Sequence, residues 1–544
     1  MLIGDTRRVA WEPSGVLGSL SRSGCAIAAA TVLGLGLRLY LITRHGFLTS
    51  GTVEYDDGVY LGATIRLTQG ALPYRDFAFV QPPGILLLSL PAALVGRAVS
   101  APAGMMVARL LTVLVSVACI PLAGRLVQHR GALVTLVTCG FLAIYPADIL
   151  ASRTLLLEPW MNLCCLLGAN LAFSNGKLNG KRALAWAGVA FGFAVAVKYW
   201  AVVPAALLGV LASPLGTWAG GDGNWRLVRA YGAGLVLGFA VPVIPFLVAS
   251  PAGFIRGTVF DQVARTGTTV PTGMRLAYLT GVIDLMNRRG MVTLAAVSHS
   301  VFSRGSTGTT STADGGLLPV ALAAITVIAV TIAYASRPRR RSTLEWFALA
   351  TAVLSALAIL SYSAFFYHYP DFTGPWLAIA LGGMVGVVSW AGTARWLAAG
   401  AVAVALLAVA TLQTREIQKI DPPANPSVAA LIPAGACVVT DQVSLTIAAD
   451  RFTAARPGCP DVIDSLATTL SLGDGTSPQG GAGQLPQVIS AWRSVLSRAD
   501  YVWLTTGYDD RIPWPDSLQT WFASNFQLVR DFTKDGNSEL YKRR

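Results

Sequence analysis

The sequence predicts a mainly α, polytopic membrane helical bundle followed by a small α/β domain, and three observations predict it. Of 544 residues, 53% are hydrophobic and only 13% are charged, whereas soluble domains carry about 25% charge. Apolar runs of roughly 17 to 25 residues, long enough to cross about 30 Å of hydrocarbon, recur from Gly24 to residue 413. Beyond residue 414 the chain turns polar and rich in Pro and Gly, with Asp421, Pro422 and Pro423 as a linker.

The same numbers exclude disorder, which needs few apolar residues and much charge. Net charge is +13, and the basic clusters sit between apolar runs, as in Arg337, Arg339, Arg340 and Arg341. Lys and Arg in cytoplasmic loops set membrane orientation, so the excess points to a lipid bilayer as partner and not to nucleic acid. Cys25, Cys119, Cys139, Cys164 and Cys165 lie in apolar runs and read as small buried hydrophobes. No small-residue cleavage site follows the first apolar run, which reads as a retained span.

That first span covers residues 24 to 42, preceded by Arg7, Arg8 and Arg22. These charges predict a cytoplasmic N-terminus, which places the loop from Thr43 to Pro83 on the far side of the cell membrane. Further spans are expected at 105 to 127, 131 to 147, 156 to 174, 183 to 198, 200 to 214, 227 to 249, 316 to 335, 344 to 363, 373 to 391 and 395 to 413. Two stretches, 84 to 100 and 275 to 302, are ambiguous. A full crossing by 84 to 100 would put Arg125, His129 and Arg130 outside, against the positive-inside rule, so it reads as a juxtamembrane or re-entrant helix. The multi-pass topology then closes with about eleven spans.

In the extracytoplasmic C-terminal domain, 415 to 544, Ala436 to Thr440 reads as a buried strand and 486 to 498 as an amphipathic helix. Tyr501 to Leu504 reads as a second strand and Phe526 to Val529 as a third. Cys437 and Cys459 share this domain, where an oxidising compartment would let them pair; sequence alone leaves the pairing open.

Chemistry concentrates in the first outer loop. Glu54, Asp56 and Asp57 crowd three carboxylates into four residues, and such like charges need a counter-charge, a metal or a proton to relieve them. A general base, a cation site and a merely solvated loop all fit that content. Around the acids runs an ordered string, Asp56, Asp57, Tyr60, Ala63, Gly70, Pro73, Tyr74, Pro82 and Pro83. It resembles the first luminal or periplasmic loop of the GT-C superfamily, the membrane glycosyltransferases that include protein O-mannosyltransferases and lipid A aminoarabinose transferases. Gln81 departs from the Lys or His that relatives often carry before the Pro pair.

The resemblance extends to Glu158, the match for an acidic residue in the next outer loop, and to Lys198, the match for a Lys closing a middle helix. Each has a plainer reading: an Arg153 to Glu158 pair at the membrane boundary, and a Lys198 that snorkels to the interface. His368, between Tyr367 and Tyr369, reads either as a hydrogen-bonded interface residue or as a contact to a donor phosphate.

What the resemblance implies is a polyprenyl-phosphate sugar donor and an inverting transfer to an extracytoplasmic glycan, glycolipid or protein. Asp56 is then expected as general base, with Asp57 and Glu158 completing the catalytic acids. Arg66, Arg75, Arg153, Lys198 and His368 are the candidate cations for the leaving phosphate. Neither the sugar, mannose or arabinose among others, nor the use of a divalent cation is legible, and a role in cell-wall assembly is one of several open outcomes. The C-terminal domain reads either as an acceptor-binding appendage or as a lid or packing element. A transporter or flippase of a lipid-linked or small polar substrate is the competing reading; the acids gathered in one outer loop and the lack of two-half hydropathy symmetry count against it.

Overall fold

The computed structural model describes residues 21–48, 54–219, 223–264, 270, 272–280, 341–387, 392–418, 428, 430–452, 457–506, 511–532 and 538–544. The expected span at 316 to 335, most of the 275 to 302 stretch, Arg7, Arg8, Arg337, Arg339, Arg340 and the linker Asp421 to Pro423 lie outside the described residues.

Each remaining expected span contains a helix. Arg22–Thr43, Ala101–Arg130, Trp225–Ala249, Thr343–Ser361 and Thr393–Arg415 are long and apolar enough to cross a membrane. Their starts follow local chemistry. Ser21, Ser100 and Asn224 side chains accept backbone N–H bonds at the first turns of the first three, which satisfies donors that the helix itself cannot. Ser342 and Glu345 form a reciprocal capping box on Thr343–Ser361, and Glu345 also pairs with Arg130 at 2.9 Å.

Other helices are shorter because the chain breaks at one end of the bundle. The expected 183 to 198 and 200 to 214 spans become Lys181–Val197 and Val202–Ala212, separated by an extended Lys198 and a tight turn. Leu157–Ala172 and Gly374–Val387 begin just after irregular segments at that same end. The 84 to 100 stretch folds as Gly84–Leu88 and Leu90–Ala98, of 5 and 9 residues. Neither reaches the roughly 20 residues a crossing needs, in line with a juxtamembrane element.

Small residues let the bundle close. Gly188 and Gly192 face Gly234 and Gly238 where Lys181–Val197 crosses Trp225–Ala249, and a Cβ at any of the four would overlap the opposing backbone. Such spacing permits close helix contact without a hydrophobic driving force. Inside the bundle Arg38 binds Asp148 at 2.9 Å and Ser116 at 2.7 Å, while the Asn162 amide donates to the Asp371 carbonyl at 2.9 Å. An unpaired charge there would be costly.

The C-terminal domain carries a four-stranded mixed sheet in the order Val438–Thr440, Tyr501–Thr505, Ser538–Arg543, Phe526–Asp531. The first pair is parallel and the others antiparallel. Helix Pro486–Leu496 buries Val488, Trp492 and Leu496 on the sheet side, as its amphipathic pattern predicts. Strand Ser538–Arg543 and helices Val443–Ala448, Ser465–Leu472 and Asp516–Asn525 add to the expected elements. Cys437 and Cys459 form a disulfide with Cα atoms 5.6 Å apart, which closes the alternative that sequence left open.

Candidate functional site

Four segments distant in sequence meet at the end of the bundle where its helices break: 54–57, 153–158, 198–200 and 367–371. The first enters helix Asp56–Thr68, with Asp56 and Asp57 in its opening turn, where unpaired backbone N–H groups favour negative charge. The helix closes at Gly70, whose φ of +92° needs no Cβ. Beyond it the chain turns at Pro73 and Tyr74, with Tyr74 at φ +66°. The strain is held by the buried Tyr74 ring, packed edge-on to Phe79, Phe246 and Phe254. Gly84, after the Pro pair, lies against the backbone of Ala196 and Val197. The loop is thereby fastened next to Lys198. Gln81 is buried in this turn and its carbonyl accepts from the Tyr74 hydroxyl.

The acids have very different surroundings. Glu54 pairs with Arg153 at 2.7 Å and accepts from the Tyr367 hydroxyl. Asp57 is fully buried; its Oδ2 accepts from Thr154 at 2.6 Å and faces Arg109 at 3.6 Å. Its Oδ1 has no hydrogen-bond partner among the described residues. Burial, opposed by Arg109 and Thr154, raises the Asp57 carboxyl to about 6. Asp56 is half-buried, and its carboxylate makes no hydrogen bond or ion pair among the described residues.

Glu158, fully buried in the first turn of Leu157–Ala172, binds Lys198 through Oε1 and lies 3.0 Å from His368 Nδ1 through Oε2. The Lys198 ammonium sits 4.1 Å from the Trp200 ring centre and 4.3 Å from that of Tyr369. Aromatic faces attract a cation in this geometry. Lys198 therefore points into protein and does not snorkel to an interface. The anticipated Arg153 to Glu158 pair is absent, because Arg153 turns to Glu54 and Tyr367 while Glu158 takes Lys198 and His368.

Asp56, Asp57, Glu158, Arg153, Lys198 and His368 thus come together, whereas Arg66 and Arg75 do not join them. Arg66 is spent on Asp461 at 2.7 Å and on the Phe452 ring. Arg75 pairs with its neighbour Asp76 at 2.8 Å on an exposed turn. Arg109, Thr154 and Tyr367 belong to the network and were missed from the sequence. Arg109 carried one signal, a lone charge within an apolar run. No group of three His, Cys, Asp or Glu that could hold a metal is found among the described residues.

No protein-family model matches the chain, and comparison with curated protein sequences finds no relative. Solved structures do match. ArnT from Cupriavidus metallidurans, in the apo state, aligns over 95% of this chain and 97% of its own, with TM-score 0.52 and 12% identity. The same protein bound to undecaprenyl phosphate aligns over equal shares, with TM-score 0.52 and 14% identity. Archaeal oligosaccharyltransferase AglB from Archaeoglobus fulgidus, in complex with an inhibitory peptide and a dolichol-phosphate, covers 90% of this chain and 70% of its own, with TM-score 0.52 and 13% identity. Both are GT-C membrane glycosyltransferases. At these identities the likeness shows the fold, and the helical membrane bundle of this chain is of the GT-C kind.

Proposed function

We propose that the chain is a membrane glycosyltransferase that moves a sugar from a polyprenyl-phosphate donor to an acceptor outside the cytoplasm. One observation carries this reading. Glu54, Asp57 and Glu158 each face a cation, whereas Asp56 is half-buried and makes no ion pair among the described residues. A carboxylate left partly open beside paired neighbours keeps its lone pairs available to accept a proton from a bound hydroxyl. The fold supports a lipid-phosphate donor, since the similar structures hold undecaprenyl phosphate and dolichol-phosphate.

The reaction is a single displacement with inversion. The acceptor oxygen attacks the anomeric carbon, its proton passes to Asp56, and the carbon–oxygen bond to the lipid phosphate breaks with its electron pair leaving on phosphate. Asp57, anchored by Arg109 and Thr154, sets the first turn of the loop helix and so aims Asp56. Glu158 holds Lys198 and His368 in place for the leaving phosphate, and Arg153 adds a further cation. Such prearranged charges stabilise what develops in the transition state. Arg66 and Arg75 are left out of the donor set because their partners lie elsewhere.

The purified protein, given lipid-linked sugars carrying a radiolabel, is expected to release free polyprenyl phosphate and transfer the label to an acceptor. Movement of intact donor across liposomes without release would instead establish a carrier and reject the enzyme reading.

A further inference from the structure

The two residues that precede Asp56 are gripped by the C-terminal domain. The Glu54 carbonyl accepts from Ser444 Oγ at 2.8 Å and from Gln442 Nε2 at 3.2 Å. Tyr55 inserts between elements of that domain: its hydroxyl donates to Asp464 at 2.8 Å and accepts from the Leu466 N–H at 3.3 Å. Its ring lies 4.1 Å beneath the Arg511 guanidinium. Gly58, one turn on, abuts the backbone of Ser444 so closely that any Cβ would overlap it. The grip is itself fixed. Asp441 follows strand Val438–Thr440, accepts from Thr505 of the neighbouring parallel strand, and faces Arg511. The Cys437–Cys459 disulfide closes the segment that bears Gln442 and Ser444.

We infer that the C-terminal domain is a positioning device for the first-loop base, with Tyr55, Gln442, Ser444 and Arg511 as positioning residues that act through Asp56. Inference and device rest on the proposed transfer reaction, and go beyond it by giving the domain a duty at the reacting atoms without any contact to donor or acceptor. Tyr55 lies against Asp464, Ser465 and Arg511, and Arg511 in turn faces Asp441 and Thr505 at the ends of the two parallel strands. A base displaced by about 1 Å loses on the order of 10²-fold in rate, so a base in the first turn of its helix gains from an external grip.

The test combines ordering with kinetics. A nitroxide placed on Asp56→Cys, in a Cys25→Ser background, is expected to be immobilised; adding Tyr55→Ala should make its spectrum mobile. In the Asp56 enzyme, Tyr55→Ala should lower kcat by about 10- to 100-fold with the donor KM unchanged, and Tyr55→Phe, which keeps the ring under Arg511, should recover much of that loss. Arg256→Ala breaks the exposed Arg256 to Asp474 pair, a domain contact away from the loop, and should leave kcat as it was. An unchanged spectrum, a loss confined to KM, or an equal loss in Arg256→Ala would overturn the inference. Spectral mobilisation in a chain whose parent transfers no sugar would uphold the grip while removing the transfer reaction it serves.

Discussion

Two acidic centres sit a few side chains apart and are built in opposite ways. At Glu158 the carboxylate is wholly enclosed, with Oε1 on the Lys198 ammonium and Oε2 3.0 Å from His368 Nδ1. At the loop helix Asp57 is enclosed with one oxygen satisfied, and Asp56 beside it is half-open with neither oxygen bonded among the described residues. A carboxylate enclosed against a buried ammonium is a strut, since the pairing fixes both groups. An unsaturated one at a water-accessible rim keeps the capacity to accept a proton. The contrast teaches that the ordering of charge here separates holding from reacting.

The sharpest way to break that contrast is Asp56→Asn. It should reduce transfer by about 10²- to 10⁴-fold while membrane insertion and thermal unfolding in detergent stay as in the wild type; retained transfer would remove Asp56 from its role. Glu158→Ala should act on the fold instead. It strands Lys198 and His368 in a buried place, which costs about 3–5 kcal/mol and is read as a lowered Tm together with weakened donor binding.

Asp57 sharpens the comparison through pH. Its folded pKa of about 6 lies above the unfolded value of about 3.9, so ionising it opposes folding. Its contribution is fully present below about pH 4 and is lost as pH rises through about 6, a difference of about 3 kcal/mol at most. Detergent unfolding of the wild type against Asp57→Asn between pH 4 and 7 should show that slope in the wild type alone. Arg75→Ala should be the mildest change. Its pair with Asp76 is surface-exposed and such pairs contribute little, so transfer and Tm are both expected to hold; a marked loss of transfer would return Arg75 to the site.

Much of the fold was legible because hydropathy is a local property. The run at 24 to 42 or 227 to 249 declares a span whatever it packs against, and the resulting helices Arg22–Thr43 and Trp225–Ala249 agree closely. The strands near Val438, Tyr501 and Phe526 were equally visible, whereas Ser538–Arg543 was not, since Lys542, Arg543 and Glu539 break its alternation. Six of the eight candidate site residues were brought together by the structure; Arg66 and Arg75 were read as site cations because sequence proximity to the acids stood in for distance. Arg109 was overlooked because a single charge in an apolar run gives no hint of its partner.

By itself, then, the sequence determined a bundle of membrane helices, an acid-rich first loop and a polar C-terminal region with strands and helices, because each follows from composition and periodicity within one stretch of chain. Only the tertiary structure decided who pairs with whom. Glu158 chose Lys198 and His368 over Arg153, Arg153 chose Glu54, and Tyr55 lodged in the C-terminal domain. Those choices depend on which helix ends meet at one level of the bundle, and charge attraction acts through space with no regard for position along the chain.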